Sequence, residues 1–280
     1  MRIRELGKLI TQCWAAAEKA LRKNVRERYP DRDEEIITTL FHAELEAEVK
    51  RVSDNGAVSR AFLSDLKRRF WAVGDDQVLS GIARDLIATV TFHSRTVERK
   101  TGGDMGIVIV RPDVRMARTG TDLTIQRDHK RGLLCQAKIF GRSSRWRNLN
   151  KNQRKVLGPK LGYLALLLYR YVDQGGERRE LAPFDWQLAR DARTIEEVSR
   201  WLKSGRFPEL QKSEQLFGAL LQDQIGTADR NLIARDIAPP SLRRSLVIEI
   251  RWKDGKGPGN TVHLRESPAV RLAQHAVVAR

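Results

Sequence analysis

Cysteine is nearly absent from this chain: Cys13 and Cys135 are the only two among 280 residues. Both sit among apolar neighbours and neither belongs to a CxxC pair. That excludes a disulfide framework and points to a reducing, cytoplasmic setting. The five histidines, His42, His93, His129, His263 and His275, lack zinc-ligand spacing, so no structural zinc is expected. Long apolar runs are missing too. The most apolar stretch, Leu161–Tyr169, is far shorter than the roughly 20 residues of a membrane span, and the N-terminus carries no apolar signal region. Acids are scarce: 35 Asp and Glu face 52 Lys and Arg, a formal net charge of +17. An excess of that size implies a polyanionic partner, most commonly nucleic acid. With 41% hydrophobic residues the chain can bury a core, and its length fits one elaborated core or two modest domains.

Residues 3–28 place Ile3, Leu6, Leu9, Ile10, Cys13, Trp14 and Leu21 on one helical face, and Pro30 stops that helix. A second helix is expected from Asp31 through Leu45, a third over 57–71 and a fourth over 75–88. From Ala88 the alternation changes to period two. It predicts strands at 88–98, 105–111, 121–127 and 132–140, with 112–120 a polar connection and Asp128–Gly132 a hairpin loop. A long helix is expected to run to Val172. Thr194 reads as the cap of a helix ending at Gly205, followed by a helix at 211–224, a strand at Leu246–Trp252 and its return strand at Thr261–Leu264. The expected organisation is α/β: an N-terminal helix (1–30), a core (31–172), and a C-terminal α+β region (173–280) packed on the core.

Within the strand Leu133–Phe140, side chains alternate between faces. Leu133, Cys135, Ala137 and Ile139 form an apolar set, which leaves Gln136 and Lys138 together on the other face. A lysine in mid-strand needs a compensating carboxylate or a bound phosphate. Asp104, in Thr101-Gly-Gly-Asp-Met-Gly106, is the obvious carboxylate, because it opens the strand expected to lie alongside. Asp104 and the Gln136 amide oxygen together suit Mg²⁺, which takes oxygen ligands and retains water. Lys138 suits orientation of the attacking water and stabilisation of developing charge.

Asp104 followed by Gln136-x-Lys138 resembles the PD-(D/E)XK, or restriction-endonuclease-like, nuclease superfamily in its Q-x-K form. The ensemble Glu34-Glu35-x-x-Thr, Glu98-x-x-Thr-Gly-Gly-Asp104 and Gln136-Ala-Lys138 is also similar to bacterial defence-associated nuclease-like proteins. The resemblance covers residues 31–172. It implies a restriction-endonuclease-like core, a mixed central sheet flanked by helices. It also implies Mg²⁺- or Mn²⁺-dependent DNA hydrolysis, as by an endonuclease in antiviral defence. Asp104 and Gln136 would hold the metal, Lys138 would act on the water, and Glu34, Glu35 or Glu98 would complete the catalytic set, with Glu34 the favoured third ligand.

Residues 141–160 contain Arg142, Arg145, Arg147, Lys151, Arg154, Lys155 and Lys160 and no acid. With Trp146 interleaved, residues 142–155 are the expected nucleic-acid contact. DNA is the expected partner, with RNA, a defence-complex protein and a second copy of the chain left open. A non-cleaving nucleic-acid-binding module and a nuclease subunit activated by a partner are the alternatives.

Overall fold

The computed structural model describes residues 3–28, 34–71, 75–94, 103–118, 120–140, 146–173, 179–238 and 244–264. Four helices come first: α1 (Arg4–Arg28), α2 (Glu34–Asp54), α3 (Ala57–Phe70) and α4 (Asp76–Ala83). The apolar stripe of α1 is buried as its spacing predicts, from Leu6 and Ile10 to Trp14 and Leu21. The expected helix start at Asp31 lies outside the described residues. Helix α4 is capped by the Asp75 side chain and stops at Ala83, because Leu86 already opens β1 (Leu86–Ser94).

A mixed sheet follows, with β2 (Met105–Met116), β3 (Asp122–Ile139), β4 (Leu164–Tyr169), β7 (Asp185–Leu188), β8 (Gln211–Lys212), β9 (Arg244–Trp252) and β10 (Thr261–His263). Its order is β1-β9-β2-β3-β4-β7-β8, and β10 pairs with the early part of β3. Strands β2 and β3 are antiparallel, whereas β2/β9 and β3/β4 are parallel. A separate antiparallel pair joins β5 (Tyr171–Asp173) to β6 (Arg179–Leu181). One face of the sheet packs Ile107, Cys135, Leu167 and Leu246 against α1, α2 and α7 (Ser213–Leu221). The other packs Val108, Leu134, Leu166 and Leu168 against α6 (Ile195–Ser204) and the π-helical turn Ile233–Ile237. The architecture is therefore α/β, a mixed central sheet flanked by helices.

Several expectations are corrected. Residues 112–116 are strand, not connection, and 128–132 are strand, not a hairpin loop: β2 and β3 form one long hairpin that turns near Gly120. Polar composition misled there because the charges are paired along the ladder. Asp223, just beyond α7, takes Arg111 Nη2 at 2.8 Å, His129 Nε2 at 2.9 Å and Arg131 Nε at 3.2 Å. Burial alone would raise the Asp223 pKa. The His129 hydrogen bond and the Arg111 charge outweigh it and hold the carboxyl at about 2. Pro112 sits where the ladder shifts register at a bulge, a place strand prolines tolerate.

The long helix expected up to Val172 is replaced by α5 (Lys151–Leu157), a 3₁₀ segment (Gly158–Tyr163) and β4. The run Leu164–Tyr169 is apolar at every position because β4 lies inside the sheet with both faces covered. The return strand Thr261–His263 pairs with β3 rather than β9. The expected boundary at 172 separates strands of one sheet, since β7, β8 and β9 belong to it and β9 lies between β1 and β2. Among the described residues, no helix is long and apolar enough to cross a membrane.

His42, on α2, is 2% exposed and stacks against Phe92, with Nε2 3.0 Å from Met105 Sδ. Burial, aided by the charge of Arg244, lowers its pKa to about 3, so it is neutral in the folded chain. The unfolded chain binds that proton below the ordinary value of 6.5, and stability is therefore lost as pH falls from there toward 3. We expect urea titrations to show a loss of up to about 1.4 kcal/mol per pH unit across this window from this group. His42→Leu should flatten the slope; an unchanged slope would mean His42 is not buried neutral.

Candidate active site

The β2–β3 pairing that places Met105 opposite Cys135 also brings Asp104 beside Gln136. The Asp104 N–H donates to the Cys135 carbonyl at 3.0 Å, and the Asp104 Oδ2 accepts from the Ala137 N–H at 3.0 Å. The Gln136 Nε2 donates to the same carboxylate oxygen. Gly103 permits this approach. A Cβ there would lie 2.9 Å from Leu134 Cγ and 3.4 Å from the Cys135 carbonyl oxygen. The alternation read from the sequence holds: Cys135 and Ala137 lie in the α1/α2 core, while Gln136 and Lys138 lie on the α6 side. Burial, with the Asp104 charge adding to it, pushes the Cys135 thiol far above its ordinary range, so it is a packing group and not a nucleophile.

Two features of this face are unusual. Gln136 is fully buried, and its Oε1 has no hydrogen-bond partner among the described residues. Lys138 is only 6% exposed and has no ion-pair partner among them. Buried polar groups are normally satisfied, so both atoms are set to meet something other than the described residues. The next carboxylate on this face is Asp185, on β7, whose neighbour Leu168 pairs with Lys138. It is occupied by Lys212 at 2.8 Å, with Arg170 at 3.9 Å.

The other expected residues are placed as follows. Glu34 and Glu35 lie in the first turn of α2, with side chains outside the described part. Glu34 is four residues before Thr38, whose Oγ1 lies 3.3 Å from the Tyr169 hydroxyl, and eight before His42, against Met105. At Thr38 and His42, α2 therefore lies against Tyr169 and Met105. Glu98, Arg142 and Arg145 lie outside the described residues. Trp146 packs edge-on between Phe140, at 5.2 Å, and Phe207, at 5.9 Å, which makes it part of the α6-side core. Arg147, Lys151 and Lys155 are exposed and Arg154 is half-buried. Sequence reasoning missed Arg200, Lys203 and Arg206, all exposed beside that segment; the amphipathic spacing of α6 was the available signal.

Among the described residues, no group of three or more His, Cys, Asp or Glu converges to hold a metal. Asp104 with the orphaned Gln136 Oε1 still makes a pair of oxygen donors of the kind Mg²⁺ accepts when water fills the remaining positions. A buried lysine without an ion-pair partner among the described residues costs the fold stability. Lys138→Met, similar in length and uncharged, should therefore raise stability by about 1 kcal/mol or more in chemical denaturation; a destabilised variant would show that the ammonium has an internal partner. Comparison with protein-family models, curated proteins and solved structures gives no match.

Proposed function

We propose that the chain is a metal-dependent nuclease that hydrolyses DNA phosphodiester bonds on a restriction-endonuclease-like core, in bacterial defence against foreign DNA. The observation that carries the reading is the buried Lys138, without an ion-pair partner among the described residues, two residues from the Gln136 amide that contacts Asp104. An early helix α2, followed by antiparallel neighbours carrying Asp104 and Gln136-x-Lys138, supports the same reading, as does the +17 charge.

Asp104 and Gln136 Oε1 would hold Mg²⁺ or Mn²⁺, with Glu34 positioned on α2 as the favoured third ligand. The ion, when bound, acidifies a water and offsets phosphate charge. The chain's own groups do the rest. The Ala137 N–H fixes the Asp104 carboxylate in place. Lys138, shielded from solvent, attracts a non-bridging phosphate oxygen and orients the attacking water beside it. The low local dielectric makes that single charge more effective than an exposed lysine.

Supercoiled and linear DNA incubated with Mg²⁺ or Mn²⁺ should be cut by the wild-type protein and protected by chelator. Lys138→Ala and Asp104→Ala should each lose about 100-fold or more of that activity while remaining folded. If Lys138→Ala cuts as well as wild type, the mechanism is wrong. That no group of three or more His, Cys, Asp or Glu converges among the described residues favours one alternative, a non-cleaving DNA-binding module. Such a module would hold DNA equally well with chelator and release no fragments.

A further inference from the structure

The segment after β3 and helix α6 lie side by side and run in opposite directions. Trp146 lies against Gly205, where a Cβ would be 3.9 Å from the indole Nε1. Asn148 Oδ1 accepts from the Ser199 hydroxyl at 2.7 Å. At the far end Gly158 meets Ile195, with Cβ to Cγ2 at 3.6 Å. The Asn150–Gln153 capping box starts α5 between these contacts. The pair is pinned to the candidate active strand, since Phe140 bridges Trp146 and the Arg147 N–H donates to the Ile139 carbonyl at 3.3 Å.

Burial of Val198, Trp201 and Leu202 turns Arg200 and Lys203 outward, and Arg206 follows past the αL residue Gly205. On the facing segment Arg147 lies between the Trp146–Gly205 and Asn148–Ser199 contacts, and Lys151 and Lys155 follow toward the Gly158–Ile195 end; all three are exposed. None of these six has an ion-pair partner among the described residues. No acid occurs in 146–158 or in 198–207. Glu196 and Glu197 belong to the first turn of α6, at the end away from Trp146. Some described surface charges are paired, as in Arg51–Glu48, Lys67–Asp76 and Arg68–Glu5, and others, such as Lys50, Lys253 and Lys256, are exposed without an ion pair among the described residues. What marks this strip is that cations from two facing, acid-free stretches meet there, tied through the Arg147 N–H to Ile139, the residue after Lys138.

We propose that Arg200, Lys203 and Arg206 of α6 form a second rail of phosphate contacts, parallel to the α5 rail, that seats the backbone of duplex DNA and leads it to Lys138. The inference rests on the nucleic-acid reading of the site and extends the DNA contact surface to a helix that reading does not use. These contacts set position and affinity without reading bases. Because each neutralised phosphate releases counterions, their number is measurable as a salt slope.

The test is binding of a fluorescent blunt duplex by the full chain, in chelator, across a range of KCl. The triple variant Arg200→Gln/Lys203→Gln/Arg206→Gln should reduce the slope of log K against log[salt] by about 2 to 3, near 0.9 per lost contact. Its melting temperature should match wild type, since all three side chains are exposed. Arg251→Gln/Lys253→Gln/Lys256→Gln removes equal charge elsewhere and should leave the slope unchanged. An unchanged slope in the α6 variant, an equal fall in both variants, or no duplex binding by wild type would each overturn the proposal. Wild type that binds with the expected slope but never cuts would instead sink the nuclease reading and leave the rail intact. Cutting that persists with an unchanged α6 slope would do the reverse.

Discussion

Everything in the candidate site depends on one cross-strand contact, the Asp104 carboxylate accepting from the Ala137 N–H and the Gln136 amide. That contact requires β2 to start where it does, Gly103 to lack a side chain, and β3 to keep its register. Register is strongly specified here. A slip of one residue would turn Cys135 and Ala137 onto the α6 side and drive Gln136 and Lys138 into the α1/α2 core. The long β2–β3 hairpin, anchored through Asp223 to Arg111, His129 and Arg131, secures that register far from the site. A polar pair on a buried face is costly.

Much of this was legible in the sequence. The alternation of Leu133–Phe140 assigned Gln136 and Lys138 to one face, and the glycine before Asp104 marked a close backbone approach. The helical stripe of α1 and the Thr194 cap and Gly205 stop of α6 were equally plain, because local rules govern them. What was not legible was long-range. Leu164–Tyr169 carries no period that distinguishes a buried helix from a strand covered on both faces. Residues 128–132 look like a turn by composition, yet their charges are matched by Asp223, some ninety residues on. The insertion of β9 between β1 and β2 leaves no local trace at all.

The same logic explains the basic segment. In the sequence, Trp146 among arginines reads as part of a nucleic-acid contact. In three dimensions it is the hydrophobic joint that lays the α5 segment against α6, wedged between Phe140 and Phe207. Its packing organises the cations around it, so the aromatic and the charges serve one surface by different means: burial sets the geometry, and unpaired exposure supplies the field.

The central claim is that Asp104 and Gln136 present their oxygens to a divalent cation, and titrating the folded, DNA-free chain with Mn²⁺ by calorimetry tests it most directly. The account predicts saturable Mn²⁺ binding by wild type that weakens by more than about 10-fold in Asp104→Asn. Equal binding by the two proteins, or none by wild type, would contradict it.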